Sequence, residues 1–126
     1  MVPKLDRRPK QFDRAKFDHV GVITTEKRPN EMWLPSDRLW ITNPRDHLYH
    51  VEFLRYAPDS AAPPRLQREP HVAYRVADLE KVLRHHEIIV RMPFDPYGTG
   101  TVRAAFVDVG GALVEFIEDW LPLSLP

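Results

Sequence analysis

The chain has 126 residues, enough for one domain with a real core, and its apolar (43%) and charged (29%) fractions are those of an ordinary globular protein. Eighteen basic residues balance eighteen acidic ones, so no global field favours nucleic acid or a membrane surface. There is no cysteine to build a disulfide framework or a thiolate nucleophile, no run approaches the ~20 apolar residues of a membrane span, and Met1 to Lys16 lacks the apolar core of a signal peptide. The expectation is a cytoplasmic protein with neither nucleic-acid nor membrane partner.

Thirteen prolines, clustered at 29–44, 58–70, 93–96 and 122–126, cut the chain into strand-sized pieces. Residues 1–16 read as an N-terminal arm. A strand is predicted over Phe17–Thr24, followed by an irregular excursion, TEKRPNEMWLPSD, from Thr25 to Asp37. Arg38–Asn43 is β-branched and aromatic, Asn43-Pro44-Arg45-Asp46 is a turn signal, and residues 47–56 read as the second arm of a hairpin. The proline-rich stretch 58–70 is a linker. A strand over 71–76 leads to a short amphipathic helix at 78–86, with apolar positions 79, 82 and 83. Strands at 88–92, 101–108 and 112–118 complete the domain, the last two joined by Gly110-Gly111, and residues 119–126 form a C-terminal tail.

Four residues interrupt these apolar runs: His19, Glu52, His71 and Glu115, one per strand. Each is costly to bury without a partner, and two imidazoles with two carboxylates make a ligand set for a divalent first-row metal. They fall into two His/Glu pairs, separated by 33 and by 44 residues. The shorter half lacks about one short helix, so half-modules 17–57 and 71–118 read as a degenerate repeat with one element deleted.

The pieces HVGVI (19–23), HVEFL (50–54), PHVAYRV (70–76) and GALVEFIE (111–118) resemble, in order and spacing, the vicinal oxygen chelate superfamily, which includes glyoxalases, bleomycin-resistance proteins and extradiol dioxygenases. The resemblance covers roughly residues 17–118. It implies an α+β fold: paired βαβββ modules forming a curled, cup-shaped mixed sheet, here with the first module's helix missing or shortened. It also implies metal ligands on the first and last strands of each module, which map to His19, Glu52, His71 and Glu115. The stretch TEKRPNEMWLPSD offers no counterpart to the residues that grip glutathione in lactoylglutathione lyases.

In function, the resemblance implies a metal-dependent lyase, isomerase or epimerase acting on a small oxygenated substrate, with Glu115 or Glu52 as general base and a divalent ion (Zn, Ni, Co, Mn or Fe) as cofactor. Two alternatives stay open: an Fe(II) extradiol-type dioxygenase and a metal-free binding or resistance protein on the same fold. Strand alternation places His50 beside Glu52, as a substrate-facing acid/base, a fifth ligand, an orienting partner or a solvent-facing residue. Arg75 and Arg103 are read either as anion clamps in the cavity or as part of a solvated strand face. The loop Asp95-Pro96-Tyr97-Gly98-Thr99-Gly100 lacks a P-loop's lysine and helix, so Tyr97 and Thr99 are candidate substrate contacts. The apolar, proline-broken tail suggests a homodimer.

Overall fold

In a computed structural model of the chain, residues 15–92 and 102–119 are described, with the side chains of 102 and 119 excepted. The Tyr97/Thr99 loop, most of the N-terminal arm and nearly all of the tail lie outside these residues. Within them run β1 (Lys16–Ile23), β2 (Met32–Leu34), β3 (Leu39–Ile41), β4 (Val51–Tyr56), α1 (Pro64–Arg68), β5 (His71–Val76), α2 (Leu79–Leu83), β6 (Glu87–Met92), β7 (Val102–Val109) and β8 (Ala112–Asp119). No described helix is long and apolar enough to cross a membrane.

The eight strands form one curled mixed sheet in the order β2-β3-β4-β1-β5-β8-β7-β6. This is the expected α+β cup with reduced helical content. Each half has the same plan, because β1 runs parallel to β4 and β5 parallel to β8, while β1 and β5 meet antiparallel at the centre. The pairs His19↔Ala73, Val20↔Val72 and Gly21↔His71 relate the halves by an approximate two-fold through Val20 and Val72.

In the second half, Asp78 caps α2 by accepting from the Lys81 amide at 3.1 Å. Leu79 and Leu83, four residues apart on one face of α2, are buried against Val76, Ala105, Val107, Val114 and Phe116 on the outer face of the sheet. Burying each leucine contributes about 1.5–3 kcal/mol. Gly110 and Gly111 adopt φ values of 58° and 94°, the left-handed backbone that a tight β7–β8 hairpin demands.

The first half has no helix between β1 and β2, as the shorter spacing implies. Stacked guanidinium and aromatic groups cover its outer face instead. Arg28 lies 3.6 Å from the Phe53 ring centroid, Arg55 lies 4.1 Å from that of Trp40, and Trp40 packs 4.4 Å from Trp33. Arg55 also makes a two-pronged bond to Glu31, at 2.9 and 2.7 Å.

Three local expectations are corrected. The irregular excursion contains β2, a three-residue strand that pairs with β3 through Met32↔Ile41 and Leu34↔Leu39. Residues 47–50 are not strand: a 3-10 turn at Pro44–Asp46 precedes them and β4 begins at Val51. The linker holds α1, a single turn with Pro64 at its start, whose Leu66 is buried with Phe106 and Leu113. Arg65 fixes that turn to the β7–β8 hairpin through Asp108 at 2.8 Å and the Gly111 carbonyl at 2.8 Å.

Candidate metal centre

On β4 the buried alternation of Glu52 and Leu54 turns one edge into the cup, and on β8 Leu113, Glu115 and Ile117 do the same. His19 on β1 and His71 on β5 complete the set, and all four polar residues are at most 5% exposed. Register explains why they meet. Glu52 lies beside Gly21 and Glu115 beside Ala73, so each carboxylate is level with the residue two beyond its own half's imidazole. Because β1 and β5 are antiparallel, that residue faces the other half's imidazole. Two rows cross the sheet, Glu52–Gly21–His71 and His19–Ala73–Glu115, each with a small residue at its middle.

The small residue matters most at Gly21. A Cβ built there falls inside the His71 imidazole, 2.5 Å from Nδ1 and 2.6 Å from Nε2, so the ring lies directly over the glycine. Phe106 meets the same ring edge-on at 5.0 Å between centroids.

Four donor atoms converge. His19 Nε2 is 3.3 Å from His71 Nε2, 3.3 Å from Glu52 Oε1 and 3.4 Å from Glu115 Oε1. His71 Nε2 is 3.7 Å from Glu52 Oε1 and 3.4 Å from Glu115 Oε1. Metal–ligand bonds of about 2.1 Å place neighbouring donors roughly 3.0–3.4 Å apart in octahedral or tetrahedral shells, close to these separations. The buried group His19, His71 and Glu115 has the donor chemistry and compactness to hold a metal ion, with Glu52 adjoining it.

The electrostatics point the same way. Burial opposes a charged His19, but Asp18, Glu115 and Glu52 outweigh it and push its pKa up to about 12. Burial likewise favours neutral Glu115, yet hydrogen bonds with His19 and His71 hold its carboxyl well below the usual range. A site so balanced attracts positive charge, whether a proton or a metal ion.

Glu52, His71 and Glu115 line a pocket of about 400 Å³, counting its open mouth, with His19 buried behind them. Leu34, Leu39, Ile41, Leu54, Leu66, Met92 and Phe106 make apolar walls, and Asp37 and Tyr56 add two polar groups. Burial, with the charges of Asp37, Glu52 and Glu115, raises the Tyr56 pKa, so its hydroxyl is a neutral hydrogen-bond donor.

The structure brings together the four predicted ligands, while three of the predicted substrate contacts, His50, Arg75 and Arg103, have partners elsewhere. His50 precedes β4 with φ of 56°, so strand alternation does not govern it; its Nδ1 lies 3.0 Å from the Asp18 carbonyl and its side chain is exposed. Arg75 donates to Asp18 at 2.9 Å. Arg103 alternates with Ala105 and Val107, which pack under α2, and reaches Glu118 at 2.6 Å on that outer face. Tyr97 and Thr99 lie outside the described residues. Sequence reasoning missed Tyr56, although alternation from Glu52 and Leu54 points to it. It also missed Gly21, whose signal was the shared His-Val-small tripeptide at 19–21 and 71–73.

No family model matches the chain, and no curated protein matches it. Solved structures do. Methylmalonyl-CoA epimerase from Mycobacterium tuberculosis superposes with a TM-score of 0.57 at 17% identity, over 97% of each chain. The hypothetical protein BH1468 from Bacillus halodurans C-125 gives a TM-score of 0.56 at 20% identity, over 83% of this chain and 94% of its own. The chain therefore shares its fold with an epimerase.

Proposed function

We propose that this chain is a vicinal oxygen chelate superfamily protein, a metal-dependent lyase, isomerase or epimerase of a small oxygenated substrate. The observation that carries the reading is the convergence of His19, His71, Glu52 and Glu115, the last three of which line an apolar-walled pocket. The epimerase of the same fold is consistent with it. His19, His71, Glu115 and Glu52 would hold a divalent ion, of Zn, Ni, Co, Mn or Fe type. When bound, that ion supplies the positive charge against which an oxyanion develops as a proton leaves the neighbouring carbon.

The two carboxylates differ from the imidazoles in what they can do. Glu115 and Glu52 each carry a second oxygen, so one of them takes the proton as general base while the rings stay fixed. Leu54, Phe106 and the other apolar walls exclude water from the carbanion. Tyr56 donates a hydrogen bond to a substrate oxygen. Four protein donors would leave room on a six-coordinate ion for a bidentate substrate, whereas extradiol Fe(II) chemistry uses three open positions. A cytoplasmic homodimer completes the reading.

The test is elemental analysis of protein purified without chelator, followed by solvent-deuterium incorporation into small α-hydroxycarbonyl compounds. One divalent ion per chain, lost in Glu115→Gln, with deuterium entering at the carbon next to the carbonyl, is the expected result. Protein that takes up no ion after reconstitution would sink the proposal.

A further inference from the structure

The residue before His19 does more than continue a strand. The β1–β5 register slips between Phe17 and His19, and this bulge lets Asp18 and His19 both be buried although they are consecutive. Asp18 Oδ2 lies 2.7 Å from His19 Nδ1. A carboxylate oxygen can only accept there, so Nδ1 donates to Asp18 and Nε2, which faces Glu52, Glu115 and His71, is the nitrogen left for an ion once its proton is displaced.

The carboxylate is itself held. Its other oxygen, Oδ1, accepts from Arg45 Nη2 and Arg75 Nε, both at 2.9 Å. Arg45 comes from the 3-10 turn after β3, where Asn43 Oδ1 caps the turn by accepting from the Arg45 amide at 2.9 Å. The Asn43-Pro44 turn signal thus has a consequence at the site, because it delivers a guanidinium to Asp18. Among the described residues the other half has no equivalent. The residue preceding His71 is Pro70, and His71 is seated by Gly21 and Phe106 instead.

We propose that Asp18, clamped by Arg45 and Arg75, is a positioning residue that fixes the tautomer and aim of His19 and makes it the stronger donor of the imidazole pair. This rests on the metal-site reading above. A carboxylate behind a ligating imidazole raises its basicity and locks its ring, and removing such a partner typically weakens metal binding about 10- to 100-fold.

The experiment is Zn²⁺ affinity by chelator competition for the full chain and its Asp18→Ala, Arg45→Met and Asp59→Asn variants, with nitrogen-15 NMR of the zinc-loaded forms. Asp18→Ala is expected to bind about 10- to 100-fold more weakly, and Arg45→Met to weaken binding by less in the same direction. The parent should show a protected, strongly downfield His19 Nδ1 proton that moves upfield in Asp18→Ala. Asp59, exposed and paired with Arg38, serves as the control and should leave affinity unchanged. Arg45→Met keeps the test open should Asp18→Ala not fold. Parent-like affinity in both Asp18→Ala and Arg45→Met would overturn the proposal, as would an Asp59→Asn loss as large as theirs. A parent chain that binds no zinc would instead overturn the metal site itself.

Discussion

The two halves of this molecule share a register and differ in their cover. Each places a carboxylate level with the residue two past its histidine, yet one half shields its outer face with α2 and the other with stacked arginine and aromatic side chains. The difference shows that the cup constrains strand pairing, whereas the outer layer only has to keep water off the apolar side of the sheet. A helix does this through buried leucines; the other half does it with guanidinium groups stacked on aromatic rings, Arg55 being held in place by Glu31.

The rows joining the halves make the largest prediction. Each row takes its imidazole from one half and its carboxylate from the other, so Glu115→Gln should weaken divalent-ion binding more than about 100-fold, beyond the effect of losing an outer partner. Glu52→Gln should behave likewise; chelator competition that left Glu52→Gln at parent affinity would break the equivalence of the halves. The covers come next. Leu83→Ala, in a site 3% exposed, should destabilise by about 2–5 kcal/mol in denaturant unfolding. Arg55→Met should lower Tm by less than half as much as Leu83→Ala does, and an equal drop would mean that the stack of arginine and aromatic groups is a core in its own right.

The middles of the rows sharpen the contrast further. Gly21→Ala forces a methyl group into the His71 ring and should cost about 1–3 kcal/mol together with loss of ion binding. The converse change at the matching position, Ala73→Gly, should cost roughly 1 kcal/mol and leave binding intact. Circular dichroism melts with zinc titration separate the two.

The last prediction concerns pH. The folded pKa of His19 lies above its ordinary value, so in ion-free protein its charged form stabilises fully below pH 6.5, and the contribution fades as pH rises toward about 12. An ion must displace that proton, so affinity should tighten about tenfold per pH unit within this window. Calorimetry between pH 7 and 9, in buffers of different ionisation enthalpy, should register one proton released per ion. Release of none would show that His19 is neutral before the ion arrives.

Much of this was legible in one dimension. Alternation and turn signals located β1, β5, β7 and β8 to within a residue or so, because each carries a largely apolar run bounded by turn or proline signals. The deleted helix showed in the unequal His-to-Glu separations. Short or proline-started elements were less legible. β2 has three residues and exists only by pairing with β3, and α1 is one turn held by Arg65 contacts that a linker's composition does not announce. His50 was misplaced because alternation was extended through a segment whose backbone turns left-handed.

By itself the sequence determined the strand faces, the two His/Glu pairs and the missing helix, since these depend on periods of two and on spacing along the chain. Only the tertiary structure decided which histidine meets which carboxylate, that Gly21 seats His71, and that Asp18 stands behind His19. Those depend on antiparallel register between β1 and β5 and on a bulge within it. Both are set by contacts between segments some fifty residues apart, which no local pattern encodes.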